Sequence, residues 1–351
     1  AINASLAGII TKCQEEGFTH IYGMINGIQG LLEDHFMDLG TTFDSEEKID
    51  ALKHSPAMYL GSCRYKLPTV SDDKDTYDLL FKKFNDLEIT DFFYIGGNDS
   101  MDTVAKLAAY GETINSPIHF IGIPKTIDND IYGTDMTFGF QSAVNIATNA
   151  IDCIHTTASS HGRVFIVEIM GHKVGSLTLH AGVAGGADII LIPEIPYDIK
   201  KVTAAIQKRA KAGKRFTILA VAEGAISKED AELPKKKYKE KLEARAKKYP
   251  SVSYEIADQI YKEIGSEVRV TVPGHTQRGG EPCPYDRVLS TRIGAGAAQA
   301  IMDGEYGIMI GVVNGKIKRV PLEECAGKLK MVSPKDQLVV AAKQIGISFG
   351  D

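Results

Sequence analysis

No Cys-x-x-Cys pair occurs in this 351-residue chain, and its five cysteines, Cys13, Cys63, Cys153, Cys283 and Cys325, are odd in number and widely separated. That usage argues against a disulfide framework or a cysteine-built zinc site and suits a reducing compartment, so a cytoplasmic protein is expected. No apolar run approaches the roughly 18 residues a membrane-spanning helix needs, nothing at the start resembles a signal peptide, and no membrane partner is expected. The net charge of -5 comes without a long basic stripe, which removes the electrostatic reason to expect nucleic acid as a partner. No Gly-x-Gly-x-x-Gly follows a strand-like run, and a dinucleotide-dependent oxidoreductase is set aside on that ground.

What remains is an ordinary soluble composition, 44% apolar and 24% charged, in a chain long enough for two domains or one large α/β unit. Helical and strand patterns alternate along it, predicting a parallel sheet with helices on both faces. Helices are expected over 4–15, 27–37, 77–84, 101–110, 139–155, 174–183, 198–212, 252–264, 287–302 and 335–344. Strands are expected over 19–24, 92–97, 120–124, 164–169, 188–193, 216–222, 268–273 and 307–313. Residues 41–54 are polar and irregular, and the lysine-rich run 235–248 reads as a solvated helical excursion.

The organising stretch is Phe120-Ile-Gly-Ile-Pro-Lys-Thr-Ile-Asp-Asn-Asp130, a buried strand ending in a polar tip, the usual place for chemistry in an open α/β sheet. If the tip stays extended, Asp128 and Asp130 point the same way, and one can act as a base while the other tunes it or holds a metal. In isolation the same Asp-Asn-Asp also suits a solvated turn with an Asx cap. Four other strand tips add chemistry. Gly96-Gly97-Asn98-Asp99-Ser100 joins a strand to a helix, where backbone amides approach an anion and Asp99 can accompany a magnesium ion, or simply cap the helix. Arg163 opens the strand that ends at Met170-Gly171-His172, and Glu223 follows Thr217-Ile-Leu-Ala-Val-Ala. Arg269, His275 and Arg278 surround a glycine turn, and arginine forks match phosphate oxygens.

Phe93-Tyr-Ile-Gly-Gly-Asn-Asp-Ser, Pro124-Lys-Thr-Ile-Asp-Asn-Asp, Ser159-Ser-His-Gly-Arg-Val-Phe-Ile-Val-Glu-Ile-Met-Gly and Arg269-Val-Thr-Val-Pro-Gly-His-Thr-Gln-Arg-Gly-Gly resemble, in order and spacing, successive signatures of the 6-phosphofructokinase family, from residue 1 to about 325. The resemblance implies that family's α/β fold of two Rossmann-like three-layer α/β/α domains with mostly parallel sheets. Residues 1–139 with about 277–327 would form the phosphoryl-donor domain, and about 140–276 with 328–351 the fructose 6-phosphate domain. It makes Asp128 the base acting on the 1-hydroxyl of fructose 6-phosphate, supported by Thr126 and Asp130, with Arg64 on the transferring phosphoryl group. Met170, Gly171, His172 and Glu223 would line the sugar, and His275 and Arg278 would grip its 6-phosphate. Arg163 and Arg269 correspond to residues lent to a neighbouring subunit's sugar site, which implies a homodimer or homotetramer.

For the donor, the resemblance places Gly96, Gly97, Asp99, Ser100 and Lys125 around the phosphates, with Mg2+ on Asp99. ATP-dependent members carry glycine at the positions of Asp99 and Lys125, leaving room for an α-phosphate. A carboxylate and an ammonium there are the pattern of the pyrophosphate-dependent branch, and Asp99 would repel an α-phosphate while Lys125 binds a terminal pyrophosphate oxygen. Reversible, pyrophosphate-dependent phosphorylation of fructose 6-phosphate is therefore expected. An ATP-dependent enzyme and a catalytically silent phosphosugar-binding subunit are the rivals, the latter suggested by Asn98 and His172, where the family has aspartate and arginine. The resemblance further implies a strand and glycine-rich turn ahead of Ala1. With Ala7, Thr11 and His155 in place of the basic effector residues, it implies no ADP or phosphoenolpyruvate control.

Overall fold

The computed structural model describes residues 1–18 and 20–351, which divide into two compact units. The first comprises Ala1–Gln141 and Gly280–Leu329, the second Ser142–Gly279 and Lys330–Asp351.

In the first unit, β1 (Tyr22–Met24) pairs antiparallel with β2 (Phe36–Asp38). Thr19, the first residue of the strand expected over 19–24, lies outside the described residues. The helix expected over 27–37 stops at Leu32, because Asp34 turns left-handed at φ 58° and the chain returns as β2, whose Phe36 packs edge-on against Tyr22 at 5.4 Å. The polar run 41–54 opens in the last two residues of the short helix Leu39–Thr42 and contains the helix Glu46–His54, each helix started by a side chain, Asp38 or Ser45, that accepts a backbone N–H in the first turn.

The unit's main sheet begins with β3 (Asp91–Gly96) and β4 (His119–Pro124), which run parallel with Asp91 beside His119 and Gly96 beside Pro124. Helix Asn98–Thr113 connects them. The apolar runs of both strands suit a sheet covered on its two faces. On one face Phe81, Phe84, Tyr110 and Phe120 stack edge to face, and on the other Ile121 and Ile123 meet Ile293 and Ala297 of helix Pro284–Met302. Helix Phe140–His161 carries the chain into the second unit.

There, β5 (Val164–Ile169), β6 (Ile189–Leu191), β7 (Thr217–Ala222) and β8 (Val268–Thr271) form an all-parallel sheet in the order β6-β7-β5-β8. Every residue of β5 is buried, including Glu168. Its carboxylate accepts the Ser251 hydroxyl at 2.5 Å and the Ser253 N–H at 3.1 Å, so the buried charge is compensated by the start of helix Val252–Ile264. The lysine-rich run is the helix Lys235–Lys248 and buries no residue.

Back in the first unit, β9 (Ile308–Val313) adds parallel to β4, and β10 (Lys316–Pro321) pairs antiparallel with β9, giving the order β10-β9-β4-β3. β10 departs from the expected parallel pattern. Asn314 and Gly315 both take positive φ, 51° and 75°, the two-residue turn that matches hairpin twist. Among the described residues no disulfide forms, and no helix is long and apolar enough to cross a membrane. Burial pushes the Cys13 and Cys325 thiols up to about 11.

Candidate functional site

The candidate site residues fall into two groups at strand tips, one in each unit. In the first unit β3 ends in Gly96 and passes through Gly97, the residue before helix Asn98–Thr113. A Cβ on Gly96 would lie 2.0 Å from Ser100 Oγ, so only glycine permits the helix to begin this close to the strand. The first-turn N–H groups and the helix dipole favour an anion at this end, and Asp99 stands exposed on the same turn. The Lys125 N–H donates to Gly96 C=O at 2.7 Å, which joins the tips of β3 and β4 side by side. Gly96, Gly97, Asp99, Ser100 and Lys125 are thus brought together around one turn.

Beyond Lys125 the tip does not stay extended. The chain bends at Ile127 and Asp128, and Asn129 turns left-handed at φ 51°, so the two-residue spacing of Asp128 and Asp130 no longer aligns them. The bend is built by side chains. The Asp128 N–H donates to Thr126 Oγ1 at 3.0 Å, Thr137 donates its hydroxyl to Thr126 C=O at 2.9 Å, and the Thr137 N–H donates to Asn129 Oδ1 at 3.0 Å. Asp128 is left half-buried, whereas Asp130 is buried and accepts the Asn98 side-chain amide on Oδ2 at 2.6 Å. The two carboxylates therefore have different surroundings and suit different tasks. Asn98, which the pattern marked only as a departure, has a structural task here, because a neutral amide can donate where a second carboxylate would repel Asp130. Arg64 is exposed in an irregular run of the same unit.

A magnesium ion usually keeps several waters and takes one or two carboxylates beside substrate phosphates. The donor set here fits that habit: Asp99 is one open carboxylate in the first turn of a helix, beside N–H groups suited to phosphate. Asp99 would hold the ion, which would neutralise phosphate charge.

In the second unit β5 ends at Ile169, and Met170, Gly171 and His172 form a tight turn in which His172 is left-handed at φ 52°. Glu223, just past β7, accepts the Gly171 N–H at 3.2 Å and the His172 N–H at 2.7 Å on the same oxygen, Oε1. Glu223 thus shapes the turn after β5, a task its position at a strand tip did not disclose. His275 and Arg278 lie exposed on the 3-10 turn Gly274–Arg278. Gln277, between them, is 2% exposed and was not picked out from the sequence. It accepts the Met170 N–H at 3.2 Å and donates to Gly274 C=O at 3.1 Å, tying the loop after β5 to the turn that bears His275 and Arg278. Its only advance sign was a polar residue at an inward position of a glycine-flanked turn. Gln277→Leu should lower unfolding free energy by about 1–3 kcal/mol, since both backbone groups lose their partner, and urea denaturation would measure it.

Arg163 and Arg269 stand at neighbouring strand starts, β5 and β8 being in register from Val164 beside Val268. They share Glu267, which accepts Arg163 Nε at 2.9 Å on one oxygen and Arg269 Nη2 on the other. Nothing in the spacing pointed to Glu267. Glu267 and Arg269 are exposed and Arg163 is partly exposed, so these ion pairs are worth little in stability. Their effect is to hold two guanidinium groups as one outward patch.

Residues 1–301 match the family model described as Phosphofructokinase. The chain is 40% identical over 358 residues to an ATP-dependent 6-phosphofructokinase of Spirochaeta thermophila, covering 100% of this chain and 94% of that protein. It is 40% identical over 352 residues to ATP-dependent 6-phosphofructokinase 3 of Bacteroides thetaiotaomicron, covering 99% and 96%. Among solved structures it is similar to the pyrophosphate-dependent phosphofructokinase of Nitrosospira multiformis, with TM-score 0.82, 25% identity and coverage of 100% and 89%. The pyrophosphate-dependent phosphofructokinase of Marinobacter aquaeolei gives TM-score 0.80 at 26% identity, covering 99% and 88%. Its two mainly parallel α/β sheets and its match over most of its length place this chain in the phosphofructokinase family.

Proposed function

We propose that this protein is a 6-phosphofructokinase that transfers a phosphoryl group to the 1-hydroxyl of fructose 6-phosphate, with pyrophosphate as its donor and magnesium as its ion. Asp128 takes the hydroxyl proton, Thr126 shapes the turn that presents it, and Asp130, held by Asn98, supports the turn from behind. Arg64 and Lys125 offset charge on the transferring group, in keeping with a reaction catalysed mainly by positioning and charge neutralisation. His275 and Arg278 take the 6-phosphate, while Met170, Gly171, His172 and Glu223 line the sugar. The paired Arg163 and Arg269 suit lending to the sugar site of a second copy, in a homodimer or homotetramer.

The observation that carries the donor assignment is the hydrogen bond from Lys125 N–H to Gly96 C=O, which sets Lys125 against the turn that leads into Asp99. An ammonium and a carboxylate at one phosphate-binding turn favour a compact, terminal-oxygen donor and disfavour an extra α-phosphate. The second reading, ATP as donor, is favoured by the names of the sequence relatives at 40% identity. Steady-state assays with fructose 6-phosphate and magnesium, using pyrophosphate and ATP separately, decide between them. Turnover with pyrophosphate at least a hundredfold above that with ATP is expected; the opposite ratio would give the donor site to ATP, and no turnover with either would leave a phosphosugar-binding subunit.

A further inference from the structure

The turn after β5 is held by a carboxylate at each end. Glu223 takes the N–H groups of Gly171 and His172 at its start. At its far end stands Glu194, three residues beyond β6, to which the sequence assigned nothing. Both its oxygens lie 3.0 Å from the Gly175 nitrogen, and Oε1 also accepts the Val332 N–H at 3.0 Å. Gly175 is the residue from which helix Ser176–Ala184 starts. A Cβ there would come within 2.3 Å of Ile192 Cβ and 2.8 Å of Glu194 Oε2, so the approach admits glycine alone. Burial raises the Glu194 pKa, opposed by the N–H groups of Gly175 and Val332. A carboxylate taken out of water in this way costs free energy unless its oxygens are used, and here each oxygen meets a donor.

We propose that Glu194 is a positioning residue for phosphosugar binding, fixing the far end of the 170–175 turn and tying it, through Val332, to the C-terminal segment. Its hydrogen bonds go to Gly175 and Val332 and not to the residues assigned to the sugar. It acts through Gly175: with Gly175 clamped at one end and Gly171 at the other, the positions of Met170, Gly171 and His172 are set before ligand arrives, so binding does not have to order them. The inference rests on the reading of this turn as a sugar-phosphate loop.

The test uses the full chain and two measurements. In steady-state assays, Glu194→Ala should raise KM for fructose 6-phosphate by about tenfold to a hundredfold, the equivalent of one or two charge-assisted hydrogen bonds, while KM for the phosphoryl donor stays within about twofold. Glu194→Gln keeps an acceptor at Oε1 but puts an amide NH2 against the Gly175 N–H, so its KM for the sugar should rise about threefold to tenfold, and it carries the test if the alanine variant does not fold. A folded variant with sugar KM within twofold of wild type, or with both KM values raised alike, overturns the proposal. Backbone hydrogen exchange of residues 171–175 supplies an arm independent of catalysis: faster exchange in Glu194→Gln supports the clamp, and unchanged exchange removes it. If wild-type protein turns over no fructose 6-phosphate while exchange responds as stated, the substrate reading fails and the clamp stands.

Discussion

Asp128→Asn is expected to lower kcat for fructose 6-phosphate phosphorylation by about three to four orders of magnitude while leaving the sugar KM within about threefold. A positioned general base contributes about 10²–10⁴ in rate, and asparagine has nearly the same shape but takes up no proton. Three bonds that build the turn, from the Asp128 N–H to Thr126 Oγ1, from Thr137 to Thr126 C=O and from the Thr137 N–H to Asn129 Oδ1, do not use the Asp128 carboxylate and remain in the variant. The measurement is kcat and KM on matched preparations with unchanged near-ultraviolet circular dichroism. A kcat within tenfold of wild type would remove Asp128 from the base's role. Asp130 does not replace it readily, being buried and engaged by Asn98.

The other large effect belongs to the donor. Asp99→Gly combined with Lys125→Gly should shift the ratio of kcat/KM for pyrophosphate to that for ATP by about 10³-fold in favour of ATP. Two unit charges about 5 Å apart at an effective dielectric near 20 interact by about 3 kcal/mol, roughly two orders of magnitude, and the double change removes both an attraction for a terminal phosphate and a repulsion against an α-phosphate. Asp99 is exposed, so solvent weakens its share and the sum falls short of the two contributions taken at full strength. Each single variant should move the ratio part of the way. A ratio unchanged in the double variant would show that donor choice lies elsewhere in the unit.

Which features were legible from the residues follows from how local their causes are. The parallel sheets follow from apolar runs such as Val164–Ile169 spaced between amphipathic helices, a pattern set by burial on two faces. The glycine pair at 96–97 and the lysine-rich helix also announce themselves, since backbone approach and solvation are properties of short stretches. The hairpin of β9 and β10 has an equally local cause, the positive φ of Asn314 and Gly315, although the alternation of strand and helix predicts only parallel pairing.

Tertiary structure alone decided the rest. The spacing of Asp128 and Asp130 implies one shared face only for an extended tip, and it is Thr137, from a later turn, that bends the tip and separates their surroundings. Glu267 between two arginines, Gln277 between loop and turn, and Glu194 behind Gly175 join residues between 2 and 138 positions apart in the chain. By itself the sequence determined the fold class, the family and the residue types at the strand tips, because hydrophobic periodicity and backbone sterics act over a few residues. Which carboxylate is shielded, which glutamate braces a loop and which amide satisfies a buried partner were settled only when distant segments met, because a hydrogen bond depends on separation in space and not on separation along the chain.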